Sequence, residues 1–318
     1  MEEVMDNFEI DPAFPTESVK KHEEKSPAIK WGWLRAVLFL LANAIASTVV
    51  IGVTFLIILI VKGIDLATVM TDRAQIYELM GSNERTILQV AGFLAMLLMV
   101  WIFRKFIDRK TMLSLGFKYK GYGVDLIWGL VLGFVLIIFG TLVLMLTGNL
   151  TIAEYRIDIL SLSISLFLYI VVALNEEIMF RGYVLSNFCE SVNKYLALVI
   201  TSALFMAIHL GNPNLSILAL VNLFLAGIVL GIYYIHKQNL WLPIGMHLTW
   251  NYFQGPVFGY EVSGTTEQSI IVQNLQGNEL LTGGDFGLEG SLLATAGIII
   301  ITIFLHFKYK KAPYEKVI

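Results

Sequence analysis

The chain has 318 residues, of which 57% are hydrophobic and only 15% charged, with a mean hydropathy of +0.72. A soluble domain carries roughly 25% charged residues, so the composition excludes an ordinary water-soluble protein. A net charge of −3 gives no grounds for a nucleic-acid partner, and the single cysteine, Cys189, excludes an intrachain disulfide. The fold class is therefore read as all-α, a polytopic transmembrane helical bundle.

Residues 1–30 are polar, contain Pro12 and Pro15, and lack the apolar core of a signal peptide, so they read as a disordered cytoplasmic tail. Apolar windows then recur, most of them long enough to cross a hydrocarbon core of roughly 30 Å. About eight candidate spans emerge: 36–61, 86–103, 126–149, one beginning near Leu160, then 195–210, 215–235, 240–258 and 290–305. Gly211-Asn212-Pro213-Asn214 reads as a tight turn between the fifth and sixth. Gly227 and Gly231 are spaced for close helix contact, and Trp31, Trp33 and Trp241 suit the aromatic belt at a membrane interface. The chain accordingly divides into the tail (1–30), N-terminal transmembrane helices (31–156), a helical core (157–258), a loop (259–289), and a last helix with a basic tail (290–318). The loop holds Glu261, Glu267, Glu279, Asp285 and Glu289 and no Lys or Arg. Within it, "QSIIVQN" and "NELLTGG" read as short extended pieces joined by a turn, and no chemistry is assigned to them.

With the N-terminus inside, 17 Lys and Arg fall on inner segments and 4 on outer ones (Lys62, Arg73, Arg85 and Arg156), leaving Arg181 within a span. That bias sets both termini in the cytoplasm. It makes the chain a multi-pass protein of a cell membrane, read as a bacterial plasma membrane.

Three spans carry groups that lipid excludes. In "LNEEIMFRGYV" Glu177 and Arg181 are four apart and can pair on one helix face, whereas Glu176 points about 100° away. "FMAIH" sets Phe205 and His209 one turn apart, and "HLTWN" does the same for His247 and Asn251. A charge at mid-bilayer costs roughly 2.5–3.5 kcal/mol on insertion scales, so such groups turn inward and find partners. The simplest solution is that they meet each other. Glu176 reaches the depth of the histidines only if its helix continues past Arg181 to about Asn187 or Ser191. The set then admits two chemistries. Glu176, His209 and His247 could hold a zinc ion with an open position for water. Alternatively, Glu176 and His209 could activate water as general bases while His247 and Asn251 donate to an oxyanion. Both describe acyl hydrolysis, most simply of a peptide bond.

The three motifs, "EEIMFR" (176–181), "FMAIH" (205–209) and "HLTWN" (247–251), resemble those of the CPBP family of CAAX-endopeptidase and bacteriocin-processing intramembrane proteases. The resemblance covers roughly residues 157–258. It implies an intramembrane endopeptidase with Glu176, His209, His247 and Asn251 in catalytic positions and Glu177, Arg181 and Phe205 supporting them. It leaves open whether the enzyme is a metalloendopeptidase or a glutamate-type protease, and whether it serves bacteriocin processing or immunity. Its expected partners are the lipid bilayer and a membrane-anchored protein or peptide. A non-catalytic membrane regulator or immunity protein would share the same fold. An ion-coupled transporter shares the buried carboxylates, but no internal repeat supports it.

Overall fold

The computed structural model of the chain describes residues 26–65 and 81–311. Most of the expected N-terminal tail, with His22, Arg73 and Lys316, lies outside the described residues. The elements in order are α1 (Gly32–Lys62), α2 (Ser82–Ile102), α3 (Gly123–Leu146), β1 (Leu150–Tyr155), α4 (Ile159–Glu176), α5 (Lys194–Ile208), α6 (Ile217–Lys237), α7 (Trp241–Tyr252), β2 (Ile271–Leu275), the single turn α8 (Glu279–Thr282), and α9 (Leu292–Tyr309). Wide π turns extend α2 over Phe103–Asp108, α4 over Glu177–Leu185 and α7 over Phe253–Val257. Beyond its π turn α4 resumes through Ser186–Cys189.

Several starts are fixed by side chains that satisfy the first free N–H groups of a helix. Asp158 accepts from Leu160 and Ser161 at α4, Asn193 from Tyr195 and Leu196 at α5, Ser216 from Ala219 at α6, and Ser291 from Ala294 at α9.

The protein is a multi-pass helical membrane bundle. Among the described residues, six helices are long and apolar enough to cross a bilayer: α1, α2, α3, α4, α6 and α9. The other two expected spans correspond to α5 and α7, which fall short of that length. α5 has 15 residues and α7 has 12, about 22 and 18 Å at 1.5 Å per residue. Nearly every residue of α7 is buried among its neighbours. Its apolarity reflects enclosure by protein, which hydropathy alone cannot distinguish from enclosure by lipid.

A second departure is a two-stranded antiparallel sheet within the all-α plan. Leu150 pairs with Leu275 and Tyr155 with Ile271. "QSIIVQN" is extended as expected, but its partner is the segment after α3. "NELLTGG" is no strand, because Asn278 caps it into α8 by accepting from Leu280 N–H. The third expected span also ends at Leu146, three residues early, and Gly148 takes a left-handed turn (φ 73°) into β1.

Glycine sets the closest helix contacts. A Cβ on Gly129 or Gly133 would run into the Leu242 or Met246 carbonyl of α7, and one on Gly245 would meet the Leu126 carbonyl of α3. Gly227 and Gly231 lie against Ser202 and Leu198, which seats α5 on α6 as their spacing implied. These contacts leave no slack for a methyl group. Gly133→Val is expected to lower the thermal midpoint in detergent, because overpacking costs about 1–3 kcal/mol even where the obstruction is a side chain, and here it is backbone. An unchanged midpoint would show that α3 and α7 can separate freely.

Ion pairs and rings gather alternate helix ends. Arg35 pairs with Asp108 at 2.8 Å and with Glu190, Arg104 with Asp108 at 3.1 Å, and Lys110 with Glu190 at 2.5 Å. At the same end Lys194 contacts His236, which contacts His306. The opposite end holds the Lys62–Glu84 pair, the sheet, and the acidic segment that follows α7, where Arg85 meets Glu267. The bundle therefore has a basic end and an acidic end.

Candidate active site

The π turn in α4 begins at Glu177, where the helix widens; such wide turns frequently mark functional sites. Glu177 is fully buried and its Oε1 accepts two hydrogen bonds, from Arg181 Nη1 at 2.9 Å and from His247 Nδ1 at 2.8 Å. The expected intrahelical pair is therefore also a bridge to α7. Arg181 is held further by Gly227 O, 3.3 Å from Nη2.

Glu176 faces elsewhere, into a cavity of about 400 Å³. Its Oε2 lies 3.8 Å from His247 Nε2 and takes no hydrogen bond. That separation is too long for a direct bond, and it suits two groups that share a third atom between them.

His209 directly follows the last residue of α5. Its Nδ1 is 2.8 Å from Phe205 O. A carbonyl oxygen only accepts, so Nδ1 carries a proton and donates it, and Nε2 makes no hydrogen bond among the described residues. Phe205 also organises the cluster. The Arg181 guanidinium stacks 4.5 Å from its ring centroid, the His209 ring lies at 4.9 Å, and Phe180 meets it edge-on at 5.2 Å. Phe205 is thus both a packing residue and the surface on which a buried cation rests.

Asn251 is buried one turn beyond His247, and its amide makes no hydrogen bond among the described residues. Glu176, Phe205, His209, His247 and Asn251 all line the one cavity, with Glu177 and Arg181 directly behind its wall. Residues from α4, α5 and α7 are brought together as the buried-charge argument required.

The rest of the lining was not foreseen. Arg85 and Gln89 from α2, Tyr169 from α4, Asn212, and Ser263, Glu267 and Glu289 from the 259–289 segment complete the wall. Glu289 is buried and its Oε1 accepts from both the backbone N–H and the hydroxyl of Ser263. Asn222 of α6 donates to its carbonyl at 2.7 Å. Burial pushes the carboxyls of Glu267 and Glu289 above the usual carboxylate range, opposed by Arg85 for the first and by Ser263 for the second. The sequence signal was present but faint: an acidic loop with no basic residue, next to spans already carrying buried polar groups.

The donor set bears on the zinc reading. Both imidazoles have Nδ1 engaged and Nε2 free, and Glu176 offers an unbonded oxygen, which suits metal ligation chemically. The geometry does not follow: among the described residues no three His, Cys, Asp or Glu side chains are gathered as ligands. Glu176 and His247 approach each other, but His209 does not complete the set.

The chain is a membrane protein: a bundle of apolar helices around a polar cavity lined by carboxylates and two imidazoles. Residues 158–253 match the family described as type II CAAX prenyl endopeptidase Rce1-like. The match spans under a third of the chain, and it is this segment that is similar to the CAAX-type proteases. A relative from Escherichia coli, described as an uncharacterized 24.3 kDa protein, is 38% identical over 87 residues, which cover 26% of this chain and 38% of that one. The chain thus matches well under half of that relative's length. No solved structure matches.

Proposed function

We propose that the protein is an intramembrane endopeptidase that hydrolyses a peptide bond of a membrane-associated protein or peptide, using water activated by Glu176. The observation that carries this reading is the unbonded Glu176 Oε2 facing His247 Nε2 across 3.8 Å, in a cavity shared with His209 and Asn251.

The proposed steps use only these groups. Glu176 or His209 Nε2 takes a proton from the water as its oxygen bonds to the scissile carbonyl carbon. The carbonyl π electrons move to oxygen, where Asn251 Nδ2–H and a protonated His247 Nε2–H donate to the oxyanion. Glu177, hydrogen-bonded to His247 Nδ1, favours the imidazolium and fixes the ring. On collapse the C–N bond breaks, and the proton first taken from water passes to the leaving nitrogen. The products are a carboxylic acid and an amine, which exchange a proton to leave a carboxylate and an ammonium. The direct test is release of a fragment from a membrane-anchored reporter peptide by the purified protein in liposomes. No release from any of a broad set of anchored reporters, by protein that folds and inserts, would leave a non-catalytic binder with the same fold.

We also propose that the basic end lies in the cytoplasm, by the positive-inside rule. The cavity is lined from the acidic end, by Arg85, Asn212, Ser263 and Glu267, so its mouth then opens away from the cytoplasm. In a Cys189→Ser background, Glu279→Cys should react with a membrane-impermeant maleimide on intact cells, whereas Lys120→Cys should react only after permeabilisation; both positions are exposed. The reverse pattern would invert the topology.

A further inference from the structure

The 259–289 segment is more than a connector, because it builds one wall of the cavity. Val262, Ser263, Thr265, Glu267 and Glu289 line it together with the carboxylate and imidazoles of the helices. The segment is tied down firmly. Gln254 bridges Trp250 to the Glu261 carbonyl, Gly264 N–H reaches Phe286 O, and Asn222 grips the Glu289 and Ser291 carbonyls. A wall held at that many points presents its side chains in fixed places.

Two of those side chains are carboxylates with unused oxygens. The Glu267 side chain is only 6% exposed, and its Oε2 takes no hydrogen bond. The Arg85 guanidinium stands 3.7 Å away, beyond hydrogen-bond distance, and spends one N–H on the Thr266 carbonyl. Glu289 is 8% exposed, and both of its hydrogen bonds fall on Oε1. Its Oε2 accepts none among the described residues. Tyr169 lies within electrostatic reach of both carboxylates, and Glu289 within reach of both histidines, so the pair borders the catalytic cluster.

The charge balance then points one way. Arg181 is committed to Glu177 behind the wall, so the cavity shows Glu176, Glu267 and Glu289 against the Arg85 guanidinium and the His247 imidazolium. A buried carboxylate with an unused oxygen is costly unless a cation or donor arrives. The exposed rim of the segment repeats the sign, with Glu279 and Asp285 and no Lys or Arg anywhere in 259–289.

We propose that Glu267 and Glu289 form a cation subsite that takes a Lys or Arg side chain of the substrate beside the scissile bond. The proposal deepens the endopeptidase reading and rests on it for the word substrate, but the subsite itself is a binding claim. A lysine ammonium placed there makes charge-assisted hydrogen bonds to the two unused oxygens, and the acidic rim draws it inward.

The test uses the full chain in liposomes carrying Glu176→Ala, which silences the proposed base without touching the subsite. Three lipid-anchored fluorescent peptides, identical except for Lys, Gln or Glu at one position, are titrated by anisotropy. The Lys peptide should bind at least about 10-fold tighter than the Glu peptide. Glu267→Gln with Glu289→Gln should reduce that ratio to about 2, and Glu267→Lys should invert it in protein whose elution profile is unchanged. Equal binding of the three peptides, binding of none, or a Lys preference that survives the double Gln variant would overturn the subsite. Cleavage by the Glu176 protein is scored separately with the same peptides. Cleavage without a Lys preference removes the subsite and keeps the protease, while a Lys preference without cleavage does the opposite.

Discussion

Glu176→Gln is expected to reduce peptide cleavage by about 10³-fold, within the range that loss of a positioned general base produces, with little change in thermal midpoint. The isostere keeps the volume and polarity of the side chain but cannot accept the water's proton. Stability should hold because Glu176 has no hydrogen bond at Oε2 to lose and stands at a cavity wall, not inside a packed core. The two readouts must be taken together. A dead and unfolded variant says nothing, whereas a dead variant with a native midpoint assigns the residue to chemistry. His209 offers a second lone pair in the same cavity, so residual turnover in Glu176→Gln should fall further in the Glu176→Gln/His209→Ala double variant. Wild-type rates in Glu176→Gln would remove the proposed mechanism.

The legibility of this site in the sequence was uneven, for physical reasons. Glu176, His209, His247 and Asn251 could be grouped because a bilayer penalises each of them separately, and a shared penalty implies shared partners. Depth arithmetic along the helices then required α4 to continue past Arg181, and it does so as far as Cys189. It runs through a π turn, however, whose wider ring an i, i+4 pattern cannot reveal. The bridge from Glu177 to His247 escaped for a related reason. An intrahelical partner at the right spacing explains a buried glutamate so completely that a second partner 70 residues away leaves no trace in the pattern. The loop carboxylates were harder still. Glu267 and Glu289 lie in a segment whose composition reads as solvent-facing, and only the folded path of the chain returns them to the cavity. The two shorter expected spans, α5 and α7, differ in what makes them apolar. α7 is apolar because other helices surround it, and it owes its close seat on α3 to Gly129, Gly133 and Gly245, whereas α5 leaves Tyr195, Leu196, Val199 and Ile208 exposed.

The second large effect concerns the buried trio of Arg181, Glu177 and His247. Glu177→Met leaves a guanidinium that is 2% exposed without its hydrogen-bonded carboxylate, held by a carbonyl, an aromatic face and the more distant charge of Glu176. Removing one partner of a buried pair costs about 3–5 kcal/mol, so this variant should show a sharply lower midpoint, and Arg181→Met should also be destabilised. The double variant Glu177→Met/Arg181→Met takes both charges out and fills the space with apolar atoms. Its stability should recover towards wild type, which makes the pair non-additive by about 2 kcal/mol or more. Activity should not recover with it. His247 would have lost the acceptor on Nδ1 that fixes its ring and supports its second proton, and losing such an orienting partner typically costs 10–100-fold. A stable double variant that cleaves at the wild-type rate would reduce Glu177 to a counter-ion for Arg181. A stable but slow one separates its two duties: neutralising α4 within the bundle and holding the α7 histidine for catalysis.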